Sequence, residues 1–185
     1  GRYTSQAKKE SGRLFKILTM PGIYPSDILN KRKLNIGFDP KLHTSRSLFH
    51  YFKKTRCKLK PVNTNLIKKI RPKVKNKNSE LFFPLKNYIA GEASKTKIQK
   101  IRKITKKNKI DLQFITAPEN VAWLLNIRGH DSNYSPLPNG YIIISDKKVN
   151  FFCNKKKIDS NLKKFLKNIN IIDINYINIF LNKIE

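Results

Sequence analysis

Acidic residues are scarce in this sequence: 12 Asp and Glu stand against 40 Lys and Arg, which gives a net charge of +28. This imbalance predicts a strong positive potential around the folded chain. One interpretation is nucleic-acid binding, because phosphate contacts are made mainly by Lys and Arg. The other is composition drift, since Lys, Asn and Ile are overused together and have AT-rich codons. The lysines are scattered, and no RNA-binding sheet motif or zinc finger accompanies them, which favours drift.

Cysteine and long apolar runs are also scarce. Cys57 and Cys153 lie far apart, each in a short apolar run. They could pair, but we expect two separate buried thiols in a reducing compartment. No apolar run is long enough to span a bilayer and no signal peptide is visible, so we expect a cytoplasmic protein without membrane contact. The chain starts at Gly1, has Met20 as its only methionine and stops at Glu185 within an apolar pattern, which we interpret as two cut ends.

The common catalytic motifs are missing. We find no phosphate-binding loop, no GxGxxG, no HExxH and no paired CxxC. Among three histidines, His43 and His50 lie two turns apart in or next to one predicted helix. That spacing binds a metal only with a third ligand, and no carboxylate is well placed, so we expect helix-surface histidines and no metal site.

The apolar pattern predicts alternating strands and helices, and therefore an α/β fold. In the first part we expect strands at Leu14–Met20 and Leu34–Pro40, a helix at Thr44–Arg56 and a strand from Cys57. The charged segment RPKVKNKNSE that follows indicates an exposed linker, where we place the domain boundary.

The second part repeats this alternation. We expect a helix at 94–108 with its lysines in water, a strand at 110–116, a helix at 117–126 and a β-hairpin at 140–154. Trp123, the only tryptophan, falls on the most apolar helix, and we expect it in the core. A further helix, strand and helix complete the second part.

The loop RGHDSNYSPLP, residues 128–138, is the best candidate for a site. Arg128 could hold a carboxylate or carbonyl through paired donors, and Asp131 could clamp an amine or fix Arg128. Tyr134 and the prolines would form a stiff apolar wall. Alternatively, Arg128 and Asp131 pair only to hold the loop, with Gly129 needed for the turn. No group in the loop is an activated nucleophile, so the loop is a poor active site by itself.

The segment ENVAWLLNIRGHDSNYSP, with the strand GYIIIS and then VNFFCN, resembles the aminopeptidase P (Xaa-Pro aminopeptidase) family. It is most similar to the second of two creatinase/prolidase-type amino-terminal domains in three-domain members. GRYTSQA, IGFDPKLHT and YIAGE resemble further family segments in the same order. The chain departs from the family at His130, where Ser or Ala is common, and it lacks the catalytic domain.

The resemblance implies an α/β fold of two creatinase N-terminal-like units, each a mixed sheet flanked by helices, with the first unit incomplete. Residues 1–71 would be the carboxyl-terminal part of the first domain, 72–92 a linker and join, and 93–185 the second domain. Arg128, Asp131, Tyr134 and Pro136 would shape substrate access or contact a neighbouring domain. None of them would be catalytic.

The resemblance also implies a function for the parent protein, a metal-dependent Xaa-Pro aminopeptidase that removes the first residue of peptides with proline second. Two divalent ions, expected to be manganese, would lie in the missing carboxyl-terminal catalytic domain, and a homodimer is expected. This segment alone would have no catalytic activity. The alternatives are a stand-alone basic module that binds nucleic acid, and a regulatory dimerisation partner for a full-length enzyme.

Overall fold

The computed structural model describes residues 2–71 and 80–184 of the chain. The chain divides into two compact units, Gly1–Val74 and Lys75–Glu185. The predicted linker starts at residue 72, and its first eight residues, 72–79, lie outside the described residues. Residues 80–92 belong to the second unit, where Phe82 is buried in the core. The domain boundaries that the resemblance implies stay a prediction.

The first unit is built around two parallel strands joined by a helix. Ile36 of β1 lies opposite Leu59 of β2. The intervening helix α3 begins where expected because Thr44 Oγ1 accepts a hydrogen bond from Ser47 N at 3.1 Å, which satisfies a free amide of the first turn. Its elements are α1 (Arg2–Ser11), α2 (Pro25–Leu29), β1 (Asn35–Phe38), α3 (Ser45–Phe52), β2 (Lys58–Pro61) and α4 (Leu66–Ile70).

The prediction of a strand at Leu14–Met20 is wrong. These residues form no regular element, and Leu14 is 86% exposed. An apolar run becomes a strand only where a neighbour pairs with its backbone, and among the described residues of this unit β1 and β2 pair only with each other.

The second unit contains the larger sheet. Its elements are β3 (Phe83–Pro84), α5 (Asn87–Ala90), α6 (Ser94–Lys107), β4 (Leu112–Ile115), α7 (Pro118–Leu125), β5 (Ile127–Arg128), β6 (Gly140–Ser145), β7 (Val149–Cys153), α8 (Ser160–Phe165), β8 (Asn170–Asp173) and α9 (Ile177–Leu181). The sheet has the order β4-β6-β7-β8, with β7 and β8 parallel and the other pairs antiparallel. The mixed α/β architecture that the sequence predicts is confirmed.

The core of the second unit lies between the sheet and helices α6, α7 and α8. One sheet face contributes the side chains of Ile142, Ile144 and Phe151, all at most 2% exposed. Helix α7 contributes Val121, Leu124 and Leu125 to the same cluster. Full burial of such side chains stabilises a fold by about 1.5–3 kcal/mol each, so this unit is a firm support for the loop that follows α7.

Both cysteines are free, as expected, but only one is buried. Cys153 is fully buried in β7, and burial raises the pKa of its thiol to about 12. Cys57 is half-buried, and its Sγ lies 3.5 Å from the carbonyl oxygen of Arg32. The expectation of a buried thiol at Cys57 is wrong because it precedes β2, whose residues are exposed or only partly buried.

Candidate functional site

The candidate loop, which we call the access loop and define as residues 127–140, is a small hairpin of its own. Gly129 N donates to Pro136 O at 3.3 Å, and Asp131 N donates to Leu137 O at 3.2 Å. Ser132 and Ser135 form a bridge at the tip. At the base, β5 pairs with β3, with Phe83 opposite Arg128. The loop is therefore ordered by its own backbone.

Asp131 points inward and forms an ion pair with Lys157. The side chains of Asp131 and Lys157 are 8% and 10% exposed, and Asp131 Oδ1 accepts from Lys157 Nζ. Its other oxygen, Oδ2, accepts from Asn139 N at 2.8 Å. Asp131 therefore ties one strand of the loop to the other and both to the turn after β7. The alternative in which Asp131 pairs with Arg128 is wrong.

Gly129 is required for close packing. A Cβ at this position would lie 2.6 Å from Cδ1 of Phe82 and 3.1 Å from Cα of Pro138. Phe82 is 2% exposed, and Lys157 Nζ lies 5.7 Å from its ring centre. Glycine is therefore needed at position 129 because the base of the loop lies directly on a buried aromatic ring, and not because of a turn as expected.

Arg128 is half-buried and bonds to backbone carbonyls. Its Nη1 donates to Ala122 O at 3.2 Å and to Ile127 O at 2.9 Å. The Ala122 carbonyl belongs to the last turn of α7, where a cation is favoured by the helix dipole. The remaining guanidinium nitrogens have no partner among the described residues. Arg128 thus fixes the loop to the end of α7 with part of its donors unused.

Tyr134 and Pro136 lie at the exposed end of the access loop. The Tyr134 side chain is fully exposed, and its backbone has φ +62°, in the left-handed region. Pro136 is also exposed, whereas Pro138 is buried. These two side chains therefore form the part of the loop that another surface could contact.

His130, the residue that departs from the family pattern, points away from the loop interior. It is exposed, its Nε2 lies 3.4 Å from Glu80 Oε2, and its ring centre lies 5.5 Å from that of Phe83. The imidazole therefore fits without displacing the backbone pairs of the loop. His43 and His50 likewise lie against aromatic rings, at 6.3 Å from Phe38 and 5.0 Å from Tyr24.

A buried lysine supports the start of the access loop. Lys97 is 2% exposed, and its Nζ donates to Trp123 O at 2.8 Å and to Asn126 Oδ1 at 2.7 Å. Asn126 ends α7 in the left-handed conformation and donates from Nδ2 to Glu92 O at 2.8 Å. The expectation that all lysines of α6 face water is therefore wrong for Lys97.

Trp123 is not a core residue. It is 54% exposed, and Lys97 Nζ lies 4.3 Å from its ring centre. On α7 it lies opposite Val121 and Leu125, which are fully buried, so a helix period of 3.6 residues turns it outward. The expectation that it is buried is wrong.

Replacing Lys97 by Met should change how the stability of the second unit depends on pH. Burial is the main cause that lowers the Lys97 pKa from 10.5, with Arg128 acting in the same direction and Glu92 against it. The unfolded chain then binds more protons than the folded chain, so this group makes the fold more stable as pH rises towards 10.5. The free energy of unfolding of wild type should therefore rise relative to that of Lys97→Met as pH approaches 10.5, measured by denaturant unfolding followed by Trp123 fluorescence. A constant difference between the two proteins would contradict this assignment.

No three His, Cys, Asp or Glu side chains in residues 2–71 and 80–184 are grouped so that they could hold a metal ion. Asp131 and Glu92 are each paired with a lysine, and Glu80 lies beside His130. In the same ranges, no helix is long and apolar enough to cross a membrane.

The mixed sheet, its flanking helices and the access loop after α7 define an α/β domain, and comparison with known proteins identifies its family. The model of the creatinase/prolidase N-terminal domain matches residues 70–185. The chain belongs to this family.

Named relatives and a solved structure extend the likeness. Xaa-Pro aminopeptidase 1 of Dictyostelium discoideum is 32% identical over 90% of this chain and 29% of its own length. A probable Xaa-Pro aminopeptidase P of Paracoccidioides brasiliensis is 30% identical, with the same coverage of both chains. The crystal structure of the Caenorhabditis elegans X-prolyl aminopeptidase, described as a cytosolic enzyme with a di-nuclear active site, matches with a TM-score of 0.84 and 25% identity. The match covers 99% of this chain and 32% of that one, so the chain spans about a third of these proteins.

Proposed function

We propose that this chain is the N-terminal portion of a metal-dependent Xaa-Pro aminopeptidase and that its access loop helps to restrict entry to the active site. The enzyme would remove the first residue of peptides whose second residue is proline. The single observation that carries the proposal is the tip of the access loop: an ordered, internally braced hairpin that presents Tyr134 to its surroundings.

The conformation of Tyr134 supports a contact outside this unit. An aromatic residue in the left-handed region costs on the order of 1 kcal/mol, and strain of this kind concentrates at functional positions. Within its own unit the Tyr134 side chain is fully exposed, so it recovers little packing energy there. Pro136, exposed beside it, stiffens the tip. We assign the contact to Tyr134 and Pro136, and the positioning of the loop to Arg128 and Asp131.

The hydrolytic chemistry would be supplied by another part of the polypeptide. The described side chains of this chain do not fit a two-metal centre, because no ligand group is assembled among them. That part would hold two divalent ions, in our proposal manganese, and the chemistry they would supply is Lewis-acid activation of water for peptide hydrolysis. The residues of this chain would instead orient and select the peptide at the entrance.

We also propose a domain organisation and an oligomeric state for the protein. Residues 1–71 would be the end of a first creatinase N-terminal-like domain, 72–92 a join and 93–185 a second domain, in a cytoplasmic homodimer. The partner of the loop would be the carboxyl-terminal catalytic domain of the same protein. Parallel β1 and β2 around α3, and the mixed sheet of the second unit, support two α/β units.

Tyr134→Ala, introduced into the protein that includes the catalytic portion, should lower kcat/KM for peptides with proline second roughly fivefold to tenfold, about 1–1.4 kcal/mol of transition-state stabilisation. Tyr176→Ala is the matched control, because Tyr176 is another exposed tyrosine, outside the access loop and after β8. It should leave kcat/KM unchanged. Equal effects of the two substitutions would refute a specific role for the loop.

A further inference from the structure

A groove of about 540 Å³ runs along one face of α6 in the second unit, and none of its lining residues belongs to the access loop. It is also lined by residues 165–169, which are the last residue of α8 and the segment that leads to β8, and by Lys147 of the β6–β7 turn. We call it the α6 groove. From its charge and its floor we propose that the α6 groove binds an acidic polypeptide segment.

The walls of the α6 groove are cationic. Lys95, Arg102, Lys147 and Lys167 line it, and no Asp or Glu does. None of these four takes part in an ion pair among the described residues. Arg102 Nε donates to Ser145 O at 3.0 Å, which fixes the guanidinium at the wall. Such a cluster of like charges attracts an anionic partner and lowers its own repulsion when the partner binds.

Unused hydrogen-bond donors lie in the same groove. Ser94 Oγ is shielded from solvent and has no hydrogen-bond partner among the described residues. Ser94 opens the 14-residue helix α6, whose N-cap residue, Ala93, provides no side-chain cap. The first amides of a helix without a cap favour a carboxylate, through both hydrogen bonds and the helix dipole. A Glu or Asp side chain bound at this end would accept hydrogen bonds from these amides.

The floor of the groove favours a polypeptide over a nucleic acid. It is formed by Ile98, Val149 and Leu166, with Phe165 40% exposed at its side. An apolar floor between cationic walls matches a peptide that carries an apolar side chain between carboxylates. Single-stranded nucleic acid is held by successive aromatic platforms, and Phe165 is the only aromatic residue among the groove-lining residues.

A fluorescent peptide of the repeating composition Glu-Leu-Glu-Asp tests the proposal by anisotropy with the 185-residue chain. We expect saturable binding at physiological salt, at least about tenfold tighter than that of a poly-glutamate of equal charge, since tenfold corresponds to about 1.4 kcal/mol. Lys95→Gln with Lys147→Gln should weaken binding by about tenfold.

The control removes the same charge elsewhere. Lys163 and Lys164 line a neighbouring lysine-rich depression, and their replacement by Gln should change affinity less than about twofold. Equal losses in the two double variants would overturn the proposal, because the binding would then follow net charge alone. Tighter binding of a single-stranded oligonucleotide that is lost in Lys95→Gln/Lys147→Gln would also overturn it, since the partner would be a nucleic acid.

Discussion

Asp131→Ala is expected to destabilise the second unit by about 3–5 kcal/mol, because it leaves the ammonium group of Lys157 buried without its counter-charge. Both side chains are about nine-tenths shielded from solvent, so water cannot replace the lost carboxylate. The substitution also removes the acceptor for Asn139 N and frees one strand of the access loop. Denaturant unfolding followed by Trp123 fluorescence reports on this unit directly, because Trp123 is the only tryptophan and lies in α7.

Asp131→Asn combined with Lys157→Met separates the ion pair from other effects. The amide oxygen still accepts from Asn139 N and the buried charge is gone, so the double variant should recover most of the loss, to within about 2 kcal/mol of wild type. Asp111→Ala removes an exposed carboxylate before β4 and should cost less than about 0.5 kcal/mol. A loss below 1 kcal/mol in Asp131→Ala, or no recovery in the double variant, would show that the pair does not hold the loop.

Gly129→Ala is expected to cost about 1–3 kcal/mol in the same assay through overpacking. The added methyl group would meet Phe82 at 2.6 Å on one side and Pro138 at 3.1 Å on the other. Because Phe82 is buried, its ring cannot swing into solvent, and the base of the access loop must shift away from β3. The substitution should therefore displace the access loop as well as destabilise the core.

Phe82→Leu should relieve part of the Gly129→Ala penalty, since residues in contact couple by about 0.5–3 kcal/mol. The control is Gly91→Ala, where no atom lies within 4 Å of the added Cβ but φ is +75°. Gly91→Ala loses stability because of its positive φ, and this loss should add to that of Phe82→Leu without coupling. Additive behaviour of Gly129→Ala and Phe82→Leu would contradict the packing explanation.

Local patterns in the sequence predicted the elements that frame the access loop. The apolar runs at β6 and β7 are separated by a short polar turn, and they form the expected hairpin. Helix α7 forms where a helix was expected, at 117–126, with Pro118 and Glu119 in its first turn. Asp159 accepts from Leu162 N at 2.7 Å at the start of α8. In these places the residues that specify the element lie within a few positions of it.

The ion pair between Asp131 and Lys157, which holds the access loop in place, could not be predicted from neighbouring residues in the sequence. Lys157 is one of three successive lysines, and nothing in the sequence distinguishes it as the partner of Asp131, 26 residues away. A side chain at position 129 would clash with Phe82, which the pairing of β3 with β5 brings close from a distant segment. Lys97 did carry a signal, because it lies four residues before Ile101, on the inward side of α6. A lysine at an apolar spacing can indicate a buried cation that bonds to carbonyls.

The most direct test of the central claim, that the access loop belongs to a hydrolytic site completed elsewhere in the protein, is peptide hydrolysis by this chain. The 185-residue chain is incubated with Mn²⁺ and a tripeptide that has proline second, and release of the first residue is measured. The proposed longer protein, in which a catalytic portion follows this chain, is assayed in parallel. We expect turnover by the longer protein and none above the metal-only blank by the chain alone. Turnover by the chain alone would contradict the claim.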